Sequence, residues 1–148
     1  MTDRFEKFSL TISELYHYLH KITRDEMETY GLNGPHAIYF FILSRYEKGL
    51  TAAKLSEVSF RNKSDVSRAM NLFEEKGFVR KKGGTTNSYR AKIVLTEEGI
   101  SAAKRLKERA SLITDSVSKG LTDEKRIILY ESLELIVSNM QEICGDKN

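Results

Sequence analysis

A mainly α-helical fold carrying one β-hairpin is predicted by three features of this 148-residue chain. A single proline, Pro35, leaves long stretches free of helix breakers. Apolar residues recur at intervals of three and four over most of the sequence, and the glycines fall mostly where such a period ends. Residues 78–95 instead read as two strands joined by glycines and hydroxyl-bearing residues. With 40% hydrophobic and 30% charged residues, the chain suits one folded domain over residues 1–148, and it is too short for two ordinary cores.

Phe8, Ile12, Leu15, Tyr16, Leu19 and Ile22 follow helical spacing, which predicts a first helix from residue 4 to the turn at Gly31. After Leu32-Asn33-Gly34, Pro35 suits a first helical position, and Ile38, Phe41 and Ile42 carry a second helix to a stop at Gly49. Thr51 is placed to cap a short third helix, with Leu50 and Leu55 at the two positions of a hydrophobic staple. That helix ends near Val58. Ser59-Phe60-Arg61 makes a tight connection to a fourth helix, capped by Asn62, whose Val66, Met70 and Phe73 face the core. Two short helices so joined form a helix-turn-helix.

Gly77 ends the fourth helix. Phe78 to Lys82 and Tyr89 to Leu95 are strands joined by Gly83-Gly84-Thr85-Thr86-Asn87-Ser88, which makes a wing. Thr96 begins a long fifth helix, with Ile100, Ala103, Leu106, Ala110, Ile113 and Val117 in period as far as Gly120. Leu121-Thr122-Asp123 starts a sixth, carrying Leu129, Leu133, Ile136, Met140 and Ile143. The predicted fold is therefore a winged helix-turn-helix reading head, residues 32–95, with long N- and C-terminal dimerisation helices at residues 4–30 and 97–144. So small a head offers little core to cover three apolar-striped helices, and pairing with a second copy buries the stripes in a two-fold homodimer. The alternative is that these helices pack on one another in a monomer.

The net charge of +3 is modest, but its distribution is uneven. Residues 1–50 carry six basic and seven acidic side chains, and residues 93–148 carry eight and ten. Residues 51–92 carry ten basic against four acidic, a local balance of +6, as expected of a segment that meets a polyanion. Opposite the core face of the fourth helix lie Ser64, Ser67, Arg68 and Asn71. Such short side chains permit close approach and reach both phosphate oxygens and base edges in a major groove, while the helix N-terminus favours phosphate. The wing adds Lys81, Lys82 and Arg90, with Thr85, Thr86 and Asn87 at its tip. Serines on one helix are ordinary surface residues. The turn, the wing and the local charge together make duplex DNA the predicted partner.

Other chemistry is weakly indicated. His17 and His20, with Glu14 nearby, are three apart on the first helix, but ordinary surface positions are the simpler reading and no metal is assigned. Tyr16, Tyr30, Tyr39, Phe40, Phe41 and Tyr46 concentrate aromatics in the first two helices, where packing is the expected role. The single cysteine, Cys144, excludes an intrachain disulfide and suggests a reducing compartment. The first residues lack a signal-peptide core and no run is apolar enough to span a membrane, which together predict a cytoplasmic location. No phosphate-binding glycine loop, HExxH or GxSxG is present, so neither catalysis nor a cofactor is expected.

The run AKLSEVSFRNKSDVSRAMNLFEEKGFVRKK, followed by VLTEEG at residues 94–99, resembles the MarR family of bacterial transcriptional regulators, over nearly the whole chain. The resemblance implies a dimeric regulator that usually represses transcription from a pseudo-palindromic operator. It places Asn62, Lys63, Ser64, Ser67 and Arg68 on the recognition helix, beside Arg61, with Thr51 at the start of the supporting helix. It gives Thr96 a capping role and Gly99 a close-packing one. It also implies a small, often phenolic effector where the dimer helices meet the head, near Tyr16, His17, Tyr39 and Arg45. Many members carry Asp-x-Arg in the wing, whereas the ungapped positions here are Asn87 and Tyr89, so Arg90 fits only if one strand residue is lost. The competing expectation is a winged-helix protein-interaction adaptor that does not bind DNA.

Overall fold

Asp3 starts the first helix, α1 (Arg4–Thr29), its carboxylate accepting the Phe5 amide at 3.1 Å. The computed structural model describes residues 3–83 and 90–146. After α1 come a 3-10 turn (Gly34–His36), α2 (Ala37–Arg45), β1 (Leu50–Thr51), α3 (Ala52–Ser59), α4 (Lys63–Glu75), β2 (Val79–Lys82), β3 (Lys92–Leu95), α5 (Glu97–Val117) and α6 (Asp123–Cys144). Two compact units divide the chain, Met1–Ile113 and Thr114–Asn148.

In the first unit the strands form an antiparallel sheet of order β1-β3-β2. Val79 pairs with Leu95 and Lys82 with Lys92 across the wing hairpin, while Leu50 pairs with Ile93 on the other edge of β3. The core lies under α4 and the sheet. Phe40, Phe73, Met27, Leu43, Leu55, Leu106 and Val66 are its largest fully buried side chains. The Phe73 ring sits 4.8 Å from Phe40, and Phe78 packs on Phe40 at 5.5 Å and on Tyr30 at 5.2 Å. Burying a phenylalanine contributes about 2–3 kcal/mol, and each ring pair adds about 1 kcal/mol.

Five expectations are corrected. The apolar set Ile38, Phe41, Ile42 does not define the buried face of α2. Ala37, Tyr39, Phe40 and Leu43 are buried instead and Ile38 is exposed, because a nearly all-apolar helix has no unique face of its own and the packing around it selects one. Pro35 lies in the 3-10 turn, and α2 stops at Arg45 rather than at Gly49. Gly49, at φ +86°, instead leads into β1, where a Cβ would come within 2.8 Å of the Ile93 carbonyl. Strand β3 begins at Lys92 with Arg90 and Ala91 ahead of it, while Tyr89, where the strand was expected to start, lies outside the described residues, and in α5 Ile100 is exposed while Ala102, Ala103 and Leu106 carry the buried stripe.

Two details hold α5 in place. Thr96 Oγ1 accepts the Gly99 amide at 3.1 Å and donates to the Gly77 carbonyl, so it caps the helix as expected. Gly99 lies directly against the chain at Phe78: a Cβ there would be 2.0 Å from that carbonyl oxygen. A polar cluster also joins α5 to α1. Glu26, a buried carboxylate, accepts from Tyr30 Oη at 2.7 Å and Arg109 Nη1 at 3.0 Å, and Arg105 Nε donates to Tyr30 Oη at 2.8 Å. Burial, then the bond to Glu26, raises the Tyr30 pKa above its usual value.

In the second unit, Thr122 caps α6 by accepting the Lys125 amide at 3.2 Å, and Gly145 ends the helix at φ +76°. None of the α6 residues is buried. Ile127, Ile128, Leu129, Tyr130, Leu133, Leu135, Val137, Met140 and Ile143 are all exposed. Among the described residues no helix is long and apolar enough to cross a membrane.

Candidate nucleic-acid interface

The helix-turn-helix is built by local hydrogen bonding. Thr51 Oγ1 accepts the Lys54 amide at 3.2 Å and fixes the start of α3, with Leu50 and Leu55 buried at the staple positions. Phe60 closes α3 in the left-handed region at φ 56°, and Ser56 Oγ donates to the Arg61 carbonyl at 2.6 Å to tighten the turn. Asn62 Oδ1 then accepts the Asp65 amide at 2.8 Å and starts α4. These bonds fix where the helix begins, and therefore which side chains it presents.

Val66, Ala69, Met70 and Phe73 form the buried side of α4. Lys63, Ser64, Ser67, Arg68 and Asn71 are exposed, and their helical spacing gathers them on the opposite side. Asp65 is half-buried and ion-paired with Arg68 on the same helix. Arg68 is mostly exposed, and such a pair is weak enough for a phosphate to compete with it. On the wing, Lys81 and Lys82 of β2 and Arg90 just before β3 are exposed, while the candidates Thr85, Thr86 and Asn87 lie outside the described residues. Lys81 Nζ is 4.0 Å from Glu74, at the limit of an ion pair. Arg61 differs from these cations: it is half-buried, and its Nη2 donates to Tyr16 Oη of α1 at 2.8 Å. Sequence reasoning missed this partner, because 45 residues separate the two and nothing local connects them.

Among the described cavities, none gathers the four residues expected around an effector. His17 lines a 350 Å³ cavity with His20, Lys21 and Arg24, whereas Tyr39 lines another with His36, Arg61 and Arg68. Tyr39 is also buried, its ring 6.0 Å from Phe73, and burial raises its pKa although Arg61 opposes the shift. Tyr16 is half-exposed and meets His20 edge-on at 4.1 Å, and Arg45 is exposed at the end of α2. A further cavity of 590 Å³ lies between α2 and α5, lined by Leu43, Ser44, Tyr46, Ile100, Ala103, Lys104 and Lys107. No sequence motif marked it.

His36 is half-buried, and its Nδ1 accepts the Asn33 amide at 3.1 Å, so that nitrogen carries no proton. Burial first and Arg61 second lower its pKa, and burial, Arg61 and His17 do the same for His20. Among the described residues no group of three or more His, Cys, Asp or Glu side chains is placed to hold a metal.

A capped helix with an exposed polar and cationic side, set behind a short supporting helix and beside a basic hairpin, defines a winged helix-turn-helix module. No family model matches the sequence, and no curated protein does. Solved structures do. A MarR transcriptional regulator from Methanosarcina mazei Go1 superposes with a TM-score of 0.83 at 24% identity, over 93% of this chain and 99% of that one. A MarR family regulator from Silicibacter pomeroyi gives 0.77 at 22% identity, over 90% of each chain. A MarR family regulator from Listeria monocytogenes, solved in complex with a 26mer DNA, gives 0.78 at 21% identity, over 100% of this chain and 99% of that one. The chain therefore has the fold of the MarR transcriptional regulators.

Proposed function

We propose that this chain is a sequence-specific duplex-DNA-binding transcriptional regulator of the MarR type, without catalytic activity, that acts in the cytoplasm as a homodimer and represses from a pseudo-palindromic operator. The observation that carries the reading is the exposed side of α4, where Lys63, Ser64, Ser67, Arg68 and Asn71 stand together on a helix whose other side is sealed in the core. The recognition helix enters the major groove, and Lys81, Lys82 and Arg90 meet the adjacent backbone or minor groove. That the Listeria protein of the same fold was solved with DNA supports this direction.

The homodimer reading rests on apolar surface. Leu10, Leu15, Tyr18 and Leu19 of α1 and most large apolar side chains of α6 are exposed, more than a monomer ordinarily leaves in water. A second copy that buries them gives two heads, one per half-site. A small phenolic effector would enter the cavity between α2 and α5, which has the volume for it, and would shift the free energy of fitting two half-sites.

A mobility shift on the DNA upstream of the protein's own gene tests the reading. The wild type binds, and Ser67→Glu, which sets a carboxylate against phosphate on the exposed side of α4, abolishes binding without loss of fold. A shift by neither protein favours the adaptor reading instead, and an equal shift by both moves the DNA contact away from the exposed side of α4.

A further inference from the structure

Arg61 immediately precedes Asn62, the cap of the recognition helix, and by position alone it belongs with the phosphate contacts. Its surroundings point elsewhere. Its guanidinium donates to Tyr16 Oη at 2.8 Å, and the Tyr16 ring is braced edge-on by His20 at 4.1 Å, so the contact reaches the middle of α1. Its carbonyl is held by Ser56 Oγ at 2.6 Å, which fixes the backbone from which the side chain departs. Arg61 also lines the cavity that contains His36 and Tyr39, below the flank of α4. Among the described residues no carboxylate is ion-paired with it. The two acids nearest to it in the sequence, Glu57 and Asp65, are paired with Lys54 and Arg68 instead. The charge of Arg61 is felt on both sides of this joint, by His20 on α1 and by His36 and Tyr39 below α4. Lys63, by contrast, is exposed at the start of α4 and has no ion pair among the described residues.

We propose that Arg61 is a positioning residue: through Tyr16 it ties the middle of α1 to the first turn of α4, sets the attitude of the reading face toward the duplex, and does not itself neutralise a phosphate. The inference rests on the DNA-binding reading above and adds a route by which a movement of α1 reaches the recognition helix.

The test compares wild type, Tyr16→Phe, Arg61→Gln and the double variant by fluorescence anisotropy across a salt series. The probe is a fluorescein-labelled duplex of the DNA upstream of the protein's own gene. Each single variant is expected to bind about fivefold more weakly, as for loss of one charge-assisted hydrogen bond partly open to water. The double variant should bind no more weakly than either single one. The slope of log affinity against log salt should stay at the wild-type value in all of them. If Arg61→Gln lowers that slope by about 0.9 per head while Tyr16→Phe behaves as wild type, Arg61 is a phosphate contact and the inference is overturned. A second readout needs no DNA: exchange of the Asp65 and Val66 amides in the first turn of α4 should be faster in Tyr16→Phe than in wild type. Unchanged exchange overturns the inference. Wild-type protein that binds no duplex removes the DNA-binding reading, and the exchange rates then decide the tie between α1 and α4 separately.

Discussion

Replacing Gly99 by alanine sets two physical effects against each other. Gly99 lies in the first turn of α5, and on helix propensity alone an alanine there stabilises by about 1 kcal/mol. The packing predicts the reverse. An added Cβ would stand 2.0 Å from the Phe78 carbonyl oxygen and 3.0 Å from its carbon, both backbone atoms that no rotamer change can move. Relief needs a shift of about 1 Å between α5 and the start of β2, which overpacks a well-filled site at about 3–4 kcal/mol. The same shift strains the Thr96 amide bond to the Phe78 carbonyl, now 3.0 Å, which pins the end of the wing hairpin. The net expectation is a loss of about 2–3 kcal/mol. Urea denaturation followed by circular dichroism should show this as a lower midpoint at unchanged slope. Gly120→Ala is the control: it has open space around its Cβ position and only its φ of +91° to strain, so it should lose about 1 kcal/mol. A Gly99→Ala midpoint at or above wild type would refute the close approach of α5 to Phe78.

Three further outcomes follow from the geometry. Glu26→Ala strips Tyr30 and Arg109 of a shared acceptor and should destabilise by about 2 kcal/mol, with Glu26→Gln losing about half as much, both read from denaturant midpoints. Acid should destabilise the fold through His36. Its folded pKa lies below the ordinary 6.5, so as pH falls through 6.5 the unfolded chain takes up a proton that the folded one refuses. Stability is therefore complete above that range and declines until the folded pKa is passed, and His36→Gln should flatten the decline in a pH series of melting curves. Lys63→Ala should weaken DNA binding and lower the salt slope by about 0.9 per head, measured by the same anisotropy titration, because Lys63 is an exposed cation at the start of α4 with no ion pair among the described residues.

What the sequence made legible is what is decided within a few residues. The caps Thr51 and Asn62 each bind an amide three positions on, so their chemistry is written locally. The buried side of α4 was readable because Val66, Met70 and Phe73 stand against polar neighbours. The same reasoning misassigned α2, where nearly every residue is apolar and the surrounding core makes the choice. It passed over β1 because two residues carry no period. The recognition face was legible for a local reason, since helical spacing alone puts Lys63, Ser67 and Asn71 together. The tie from Arg61 to Tyr16 and the Glu26 cluster were not, since their partners come from distant segments, 83 residues apart for Glu26 and Arg109.

The most direct measurement of the central claim is the affinity of the purified protein for duplex DNA as a function of salt, with the mass of the bound species recorded by analytical ultracentrifugation. Two heads that together neutralise about eight phosphates give a slope of log affinity against log salt near −7, carried by a species of two chains per duplex. A flat salt response, or a single chain that ignores every duplex at low ionic strength, would contradict the account.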